Sequence, residues 1–356
     1  MNGATLTVLR RVAPIVAAVA IFVVVLQIAG FAGGDVVGAI VKGSVGTPNA
    51  LLQSLRWSIP LIIMGLGAVV SFRAGFFNVG GLGQFYLGAI GATAVAVGIP
   101  AAVPSWVAIP CAIAAGALMG MIWSLIPGIL RVFFGADEVV TTIMANFIAQ
   151  YLLLYLVSGP LMDRSSATAQ GAASPPIPEA FRISTSNGIS PVTIGILVVV
   201  IAGVAFLILR TSFGVLSGIA GRNSAMLQWQ GVKVRRIGLQ AFALSGALAG
   251  LAGAMEILGP TGKLMQGISP QVGNNAMLVA LVAGLSVAGT VFAAWFFAML
   301  TAASLFLPIA VSLPASAIVV LNGIIAILVT AQVKLPRRWR RRRVAAAVPA
   351  QAEGER

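Results

Sequence analysis

Long apolar runs leave this chain one kind of environment to fold in. Between the paired Arg10 and Arg11 and the basic stretch that opens at Lys334, apolar segments recur with mostly short polar connections. A helix needs about 20 such residues to cross the hydrocarbon core of a bilayer, and in lipid only helices and closed barrels satisfy their own backbone. Of the 356 residues 59% are hydrophobic and 8% charged, whereas an average soluble domain is about 25% charged. The chain therefore reads as an all-α polytopic membrane protein with room for about ten transmembrane helices. Its 41 glycines suit helices that pack closely through small residues.

A formal net charge of +14 suggests nucleic acid until its distribution is followed. Seven of the basic residues lie between Lys334 and Arg343, beyond the last apolar run. That is the pattern of a stop-transfer tail held near anionic membrane lipid, and no nucleic-acid-binding fold supports the other reading. The chain has no histidine and a single cysteine, Cys111, within an apolar run where packing is its expected role. This removes the commonest general base and any His/Cys metal cluster, so no catalytic residue, metal or cofactor is expected.

Taken in order, the spans are expected at about 12–32, 51–72, up to 97, up to 130, from Gly135 onward with Asp137 and Glu138 in the first turn, 192–209, 237–258, from Asn274 onward, 291–307 and 314–333. Asp35 to Asn49 reads as a glycine-bearing outer loop. Residues 160–190, with Pro175, Pro176 and Pro178, read as an external loop with too little apolar surface to fold alone. Arg164, Glu179 and Arg182 are its candidate contacts for a partner. Glu256, acidic within an apolar stretch, is expected to face Lys263 or to serve an outer gate.

Three polar stretches interrupt the pattern. RAGFFNVGGLGQFYLGA, from Arg73 to Ala89, packs four glycines into nine residues (Gly75, Gly80, Gly81, Gly83), each costing a helix about 1 kcal/mol. It is either a tight turn or a broken, re-entrant segment presenting Asn78 and Gln84. Next, Thr141, Thr142 and Asn146 follow Glu138 at helical spacing, forming a stripe that either hydrogen-bonds across helices or lines a path. Last, residues 210–236 carry Arg210, Arg222, Lys233, Arg235 and Arg236 with no acid. Within them Asn223 and Ser224 can cap a short helix whose Ala225, Met226, Leu227 and Trp229 are too apolar for a purely solvated loop.

These stretches carry a resemblance. FNVGGLGQ is similar to the Phe-Asn-Ile-Gly-x-x-Gly-Gln signature of bacterial ATP-binding-cassette (ABC) importer permeases serving simple sugars, nucleosides and branched-chain amino acids. The order Gly214, Gly218, Gly221, Asn223, Ala225, Gly231 before AFALSGALAGLAGAM resembles the coupling loop of that family. DEVVTTIMANFIA, ending in Ser158-Gly159-Pro160, resembles most closely the nucleoside permeases that partner with basic-membrane-protein lipoproteins. Val79, Leu82 and Gly218 depart from the family pattern.

The resemblance spans roughly residues 50 to 330 and implies a permease subunit moving nucleosides or related simple sugars by alternating access. It implies Asn78, Gln84, Glu138, Thr141, Thr142, Asn146, Asn274 and Asn275 along the substrate pathway. It also implies that Gly221, Arg222, Asn223, Ala225, Leu227, Trp229 and Gly231 couple to a separate ABC ATPase subunit. The other implied partners are a second permease subunit, the same chain or a relative, and an extracytoplasmic substrate-binding lipoprotein. No ATP site is visible in the chain itself, since Gly262-Lys263 lacks the flanking residues of a phosphate-binding loop.

Ten spans place both termini in the cytoplasm of a bacterial inner-membrane protein. Of the 22 Lys and Arg, seventeen then lie inside, as charge bias requires. In domain terms, residues 1–336 form the transmembrane permease and 337–356 a basic cytoplasmic tail. Eight spans with re-entrant segments satisfy the same rule. The alternatives in function are a permease for ribose or a branched-chain amino acid, or a stand-alone secondary transporter. The latter would want coupling acids deep in the membrane, where only Glu138 and Glu256 come near.

Overall fold

The computed structural model describes residues 3–28, 30–100, 102–164, 172–183 and 189–334, with side chains for all of these except 3–15, 270 and 330–334. The arginine-rich tail at 337–356 and parts of the 160–190 loop lie outside the described residues. In chain order the helices are α1 (Gly3–Ile28), α2 (Gly33–Ser44), α3 (Pro48–Arg73), α4 (Gly81–Gly98), α5 (Ser105–Phe134), α6 (Glu138–Ser158) and α7 (Pro191–Arg210). They continue with α8 (Ser212–Ala220), α9 (Ser224–Trp229), α10 (Val234–Glu256), α11 (Pro270–Val282), α12 (Val287–Val311) and α13 (Ser316–Lys334). A π-type turn, Ile257–Thr261, prolongs α10.

Helix ends fall where side chains can satisfy the first free amides. Thr47 accepts from Ala50 N ahead of Pro48, Asp137 accepts from Val139 N and Val140 N, and Ser190 accepts from Thr193 N ahead of Pro191. Gly135, in the left-handed region at φ 70, closes α5.

The described residues divide into two compact units, one drawn from the chain up to Ala39 and from Leu307 onward, the other Ile40–Phe306. In the first, α1 packs along α13, with Phe22, Leu26, Ile318 and Leu321 among the buried side chains. In the second, α10 is the central element, flanked by α3, α4 and α5, while α11 packs on α3 and α4. The apolar stretches of α3 and α10 are 83% and 72% buried, against 22%, 17% and 17% in α5, α6 and α7. The last three thus present apolar surface outward, as lipid-facing helices do.

Three helices meet almost backbone to backbone. A Cβ on Gly88 of α4 would overlap the Gly250 backbone of α10, one on Gly120 of α5 would overlap Gly246 and Gly250, and one on Gly253 would overlap Phe85 O. The close approach expected of Gly246, Gly250 and Gly253 is thus realised within the chain. Buried Ser124 adds a hydrogen bond from α5 to the Phe242 carbonyl of α10.

Seven described helices are long and apolar enough to cross a membrane: α3, α4, α5, α6, α7, α10 with its π-turn, and α12. Shorter apolar helical stretches cover Val16–Ile28, Gln271–Val282 and Ser316–Val329. Among the described residues the fold is all-helical, and the chain is a polytopic membrane protein.

Several expectations are corrected. Residues 35–49 are not simply a loop: α2 occupies Gly33–Ser44, with Asp35 in its first turn and Lys42 in its last, each complementing the helix dipole. The eighth span is cut short, since α11 has 13 residues, about 20 Å of helix against a core about 30 Å thick. It ends where Gly284 and Leu285 turn into the left-handed region at φ 60 and 57. Cys111 is exposed on α5 instead of packed inside.

The described part of the external loop is also packed. Ile177, Phe181 and Ile183 are buried. Backbone bonds tie Ser174 to Leu264, Ile177 to Gly262 and Ile183 to Leu258 at 2.8 Å each. Three apolar residues at open spacing suffice once the partner surface comes from the α10–α11 connection, which the loop's own composition does not disclose.

Candidate functional site

The glycine-rich stretch after α3 breaks the helix for the seven residues 74–80 and then restarts it. Gly75 takes φ 84, the connection runs through Asn78, and α4 begins at Gly81. This break puts an amide cluster inside the protein. Asn78 and Gln84 are 4% and 1% exposed. The Asn78 carboxamide donates to Gln84 Oε1 at 3.1 Å and to Ser245 Oγ at 3.0 Å. Its Oδ1 accepts from Gly80 N at 3.0 Å and from Gln84 Nε2 at 2.9 Å.

Beside this cluster lies a cavity of about 280 Å³, walled by α3, the 78–84 segment, α10 and α11. Asn78, Gln84, Ser245 and Asn274 supply its polar surface, and Met64, Ala68, Ala249, Met277 and Leu278 its apolar surface. Among the described residues no Asp, Glu, Lys or Arg lines it. A more open hollow of about 440 Å³ between residues 42–53 and 302–306 holds none of the expected site residues.

The other expected pathway residues stand behind the cavity or away from it. Asn146 of α6 accepts from Gly83 N at 2.8 Å and donates to Val79 O at 3.1 Å. It therefore caps the start of α4 from a neighbouring helix, a start that Gly80 cannot cap itself. Thr142 is buried and donates to Glu138 O at 2.6 Å, and Thr141 donates to Asp137 O at 2.9 Å. The Glu138 carboxylate pairs with Arg131 at 2.8 Å. Asn275 is buried on α11 and is not part of the cavity wall.

Ser245 is the polar cavity residue that sequence reasoning missed, together with the apolar lining of Met64, Ala68, Ala249, Met277 and Leu278. Ser245 sits in AFALSGALAG among glycines and alanines, where a small hydroxyl reads as packing. Its one signal is that it is the only hydroxyl in that run.

Glu256 is paired, but not with Lys263. Its Oε1 lies 2.7 Å from Arg56 Nη2 of α3 and also accepts from Thr261 at 3.1 Å and Ser269 at 3.2 Å. Arg56 in turn stacks 4.1 Å above the Trp57 ring. Lys263 extends from a turn set by left-handed Gly262, leaving Arg56 as the cation nearer the carboxylate.

At the opposite end of α10, the basic 210–236 segment folds as expected. Asn223 accepts from Met226 N at 3.1 Å, capping α9. Leu227 is fully buried in a cluster with Ala74, Ala220, Ile237 and Ala241, whereas Ala225 and Met226 are exposed and Trp229 is 92% exposed. Gly221 lies against the backbone of Arg73 and Gly75 too closely for a side chain, Arg222 points outward, and Gly231 turns the chain at φ 77. Leu227 thus anchors a helix whose Met226 and Trp229 nothing among the described residues covers.

Residues 50–330 match the family model described as the branched-chain amino acid transport system / permease component. The guanosine ABC transporter permease protein NupP of Bacillus subtilis is 31% identical over 308 residues, covering 86% of this chain and 88% of the relative. The glucose ABC transporter permease protein TsgB13 of Haloferax volcanii is 29% identical, covering 82% and 78% respectively. The nucleoside ABC transporter permease protein NupB of Lactococcus lactis subsp. cremoris is 29% identical over 72% of each chain. No solved structure matches the chain.

Proposed function

The chain belongs to the branched-chain amino acid transport system permease-component family, and from that premise we propose that it carries nucleosides, or simple sugars related to them, through the cavity beside Asn78. It is a permease subunit of an ABC importer, a transport subunit and not an enzyme, in a multi-pass inner-membrane setting. One observation carries the choice of substrate: the described residues lining the cavity offer amide and hydroxyl groups and no charge. A neutral, hydroxyl-rich solute pairs with such groups at little desolvation cost. A zwitterionic amino acid would leave two charges without counter-ions, which is expensive away from water. Two permeases among the relatives, NupP and NupB, are named for guanosine and nucleosides.

In this reading ten crossings include α1, the broken α11 region and α13, and both termini are cytoplasmic. The exposed face of α9 receives the ATPase subunit, a second permease completes the pathway, and a lipoprotein delivers substrate from outside. Hydrolysis on the ATPase moves α9, and a four-residue link passes that motion to α10. That helix bears Ser245 at the cavity and Glu256 at its far end.

Uptake of labelled guanosine, uridine, ribose and leucine by cells with and without this chain, its partners being present, tests the reading. Nucleoside uptake is expected to fall at least tenfold with leucine unaffected. Loss of leucine uptake alone, or of none, overturns it.

A further inference from the structure

The amide cluster divides into groups whose hydrogen-bonding capacity is spent and groups whose capacity is not. A carboxamide has two N–H donors and an oxygen with two lone pairs. In Asn78 all four are used, on Gln84, Ser245, Gly80 and Gln84 again. Asn78 therefore has nothing left to offer a solute, and its fixed amide holds the other two side chains in place.

Ser245 is the reverse case. It is 4% exposed, its oxygen accepts from Asn78, and that is its one hydrogen bond among the described residues. Other buried hydroxyls on the helices behave differently. Ser58, Ser71, Thr93, Thr142, Ser217 and Thr301 each donate to a carbonyl of their own helix three or four residues back. Ser245 does not, and it lines the 280 Å³ cavity. A buried O–H without an acceptor costs free energy, and such groups mark positions where something else completes the pairing.

We propose that Ser245 is a specificity-determining contact, donating its hydroxyl proton to an acceptor oxygen of the transported solute, with Asn78 as the positioning residue that orients it. This rests on the reading of the cavity as the pathway for a neutral hydroxylated solute. Gln84 retains one N–H and a lone pair beside it, so together they offer a donor pair and an acceptor to adjacent oxygens.

The test uses the complete importer, with ATPase, second permease and lipoprotein, in proteoliposomes supplied with labelled guanosine, uridine and ribose. Ser245→Ala is expected to raise the half-saturation concentration about 5- to 10-fold, the loss of one buried hydrogen bond, and to lower the maximal rate much less. Ser245→Thr, which keeps the hydroxyl, is expected to stay within about 2-fold. Thr301→Ala, which deletes a hydroxyl bonded to its own helix, is the control with unchanged half-saturation. An unchanged half-saturation in Ser245→Ala overturns the proposal, as does a loss confined to the amount of assembled complex. If the wild-type importer takes up none of the three solutes, the reading of the cavity itself fails and the Ser245 contact falls with it.

Discussion

Arg56 and Glu256 stand 200 residues apart in sequence and 2.7 Å apart in space, with 15% and 4% of their side chains exposed. A carboxylate this buried is retained only with a cation and donors around it, and here Arg56, Thr261 and Ser269 supply them. Removing one partner strands the other. Glu256→Gln is expected to cost about 3 kcal/mol, read as a lower unfolding temperature in detergent. The double change Arg56→Met with Glu256→Leu should recover most of that loss, and equal stability of wild type and Glu256→Gln would dismiss the pair as a structural tie. The sequence marks Glu256 as unusual but cannot name its partner, because Lys263 is nearer along the chain and pairing depends on how α3 lies along α10. Asn78 and Gln84 are legible for a different reason: a run of glycines can break a helix, and amides at the break are conspicuous. Ser245 is not, since nothing local separates a hydroxyl aimed at a cavity from one bonded to its own helix.

Among the elements, α9 was readable almost residue by residue. Its cap, its short length and its excess of apolar side chains follow from local chemistry, and the structure adds which of them is the anchor, Leu227. The long spans were equally plain, because their signal is length and composition. Two elements were hidden. The α2 helix lies among glycines that suggested a loop, and α11 lies in an apolar run whose break at Gly284 and Leu285 is a matter of backbone conformation. The glycine contacts of α4, α5 and α10 make a sharper prediction at this scale. Gly250→Val places side-chain atoms where the Gly116 and Gly120 backbones already are and is expected to cost about 3 kcal/mol or more, seen as loss of folded protein after extraction. Gly195→Ala and Gly203→Ala, in open space on α7, should be neutral or stabilising by about 0.5–1 kcal/mol. Equal yields from Gly250→Val and Gly203→Ala would remove the three-helix contact as a determinant of folding.

At the level of the whole molecule, the apolar composition and the uneven spread of positive charge already specified a polytopic helical protein. The number of crossings was less accessible, because helices such as α11 are apolar without being long enough to span. The uncovered face of α9 carries the prediction here. Trp229→Asp is expected to leave the chain inserted but to reduce co-purification with the ATPase subunit at least fivefold and uptake in parallel. Undiminished co-purification would move the coupling surface elsewhere. The exposed position of Cys111 has a practical consequence of its own. A chain with one thiol in 356 residues comes ready for single-site labelling: a maleimide dye or spin label attached there needs no prior removal of competing cysteines. Since α5 meets α10 at Gly116 and Gly120, where the backbone of Gly250 lies in direct contact with both, such a label would report on the central helix during the transport cycle.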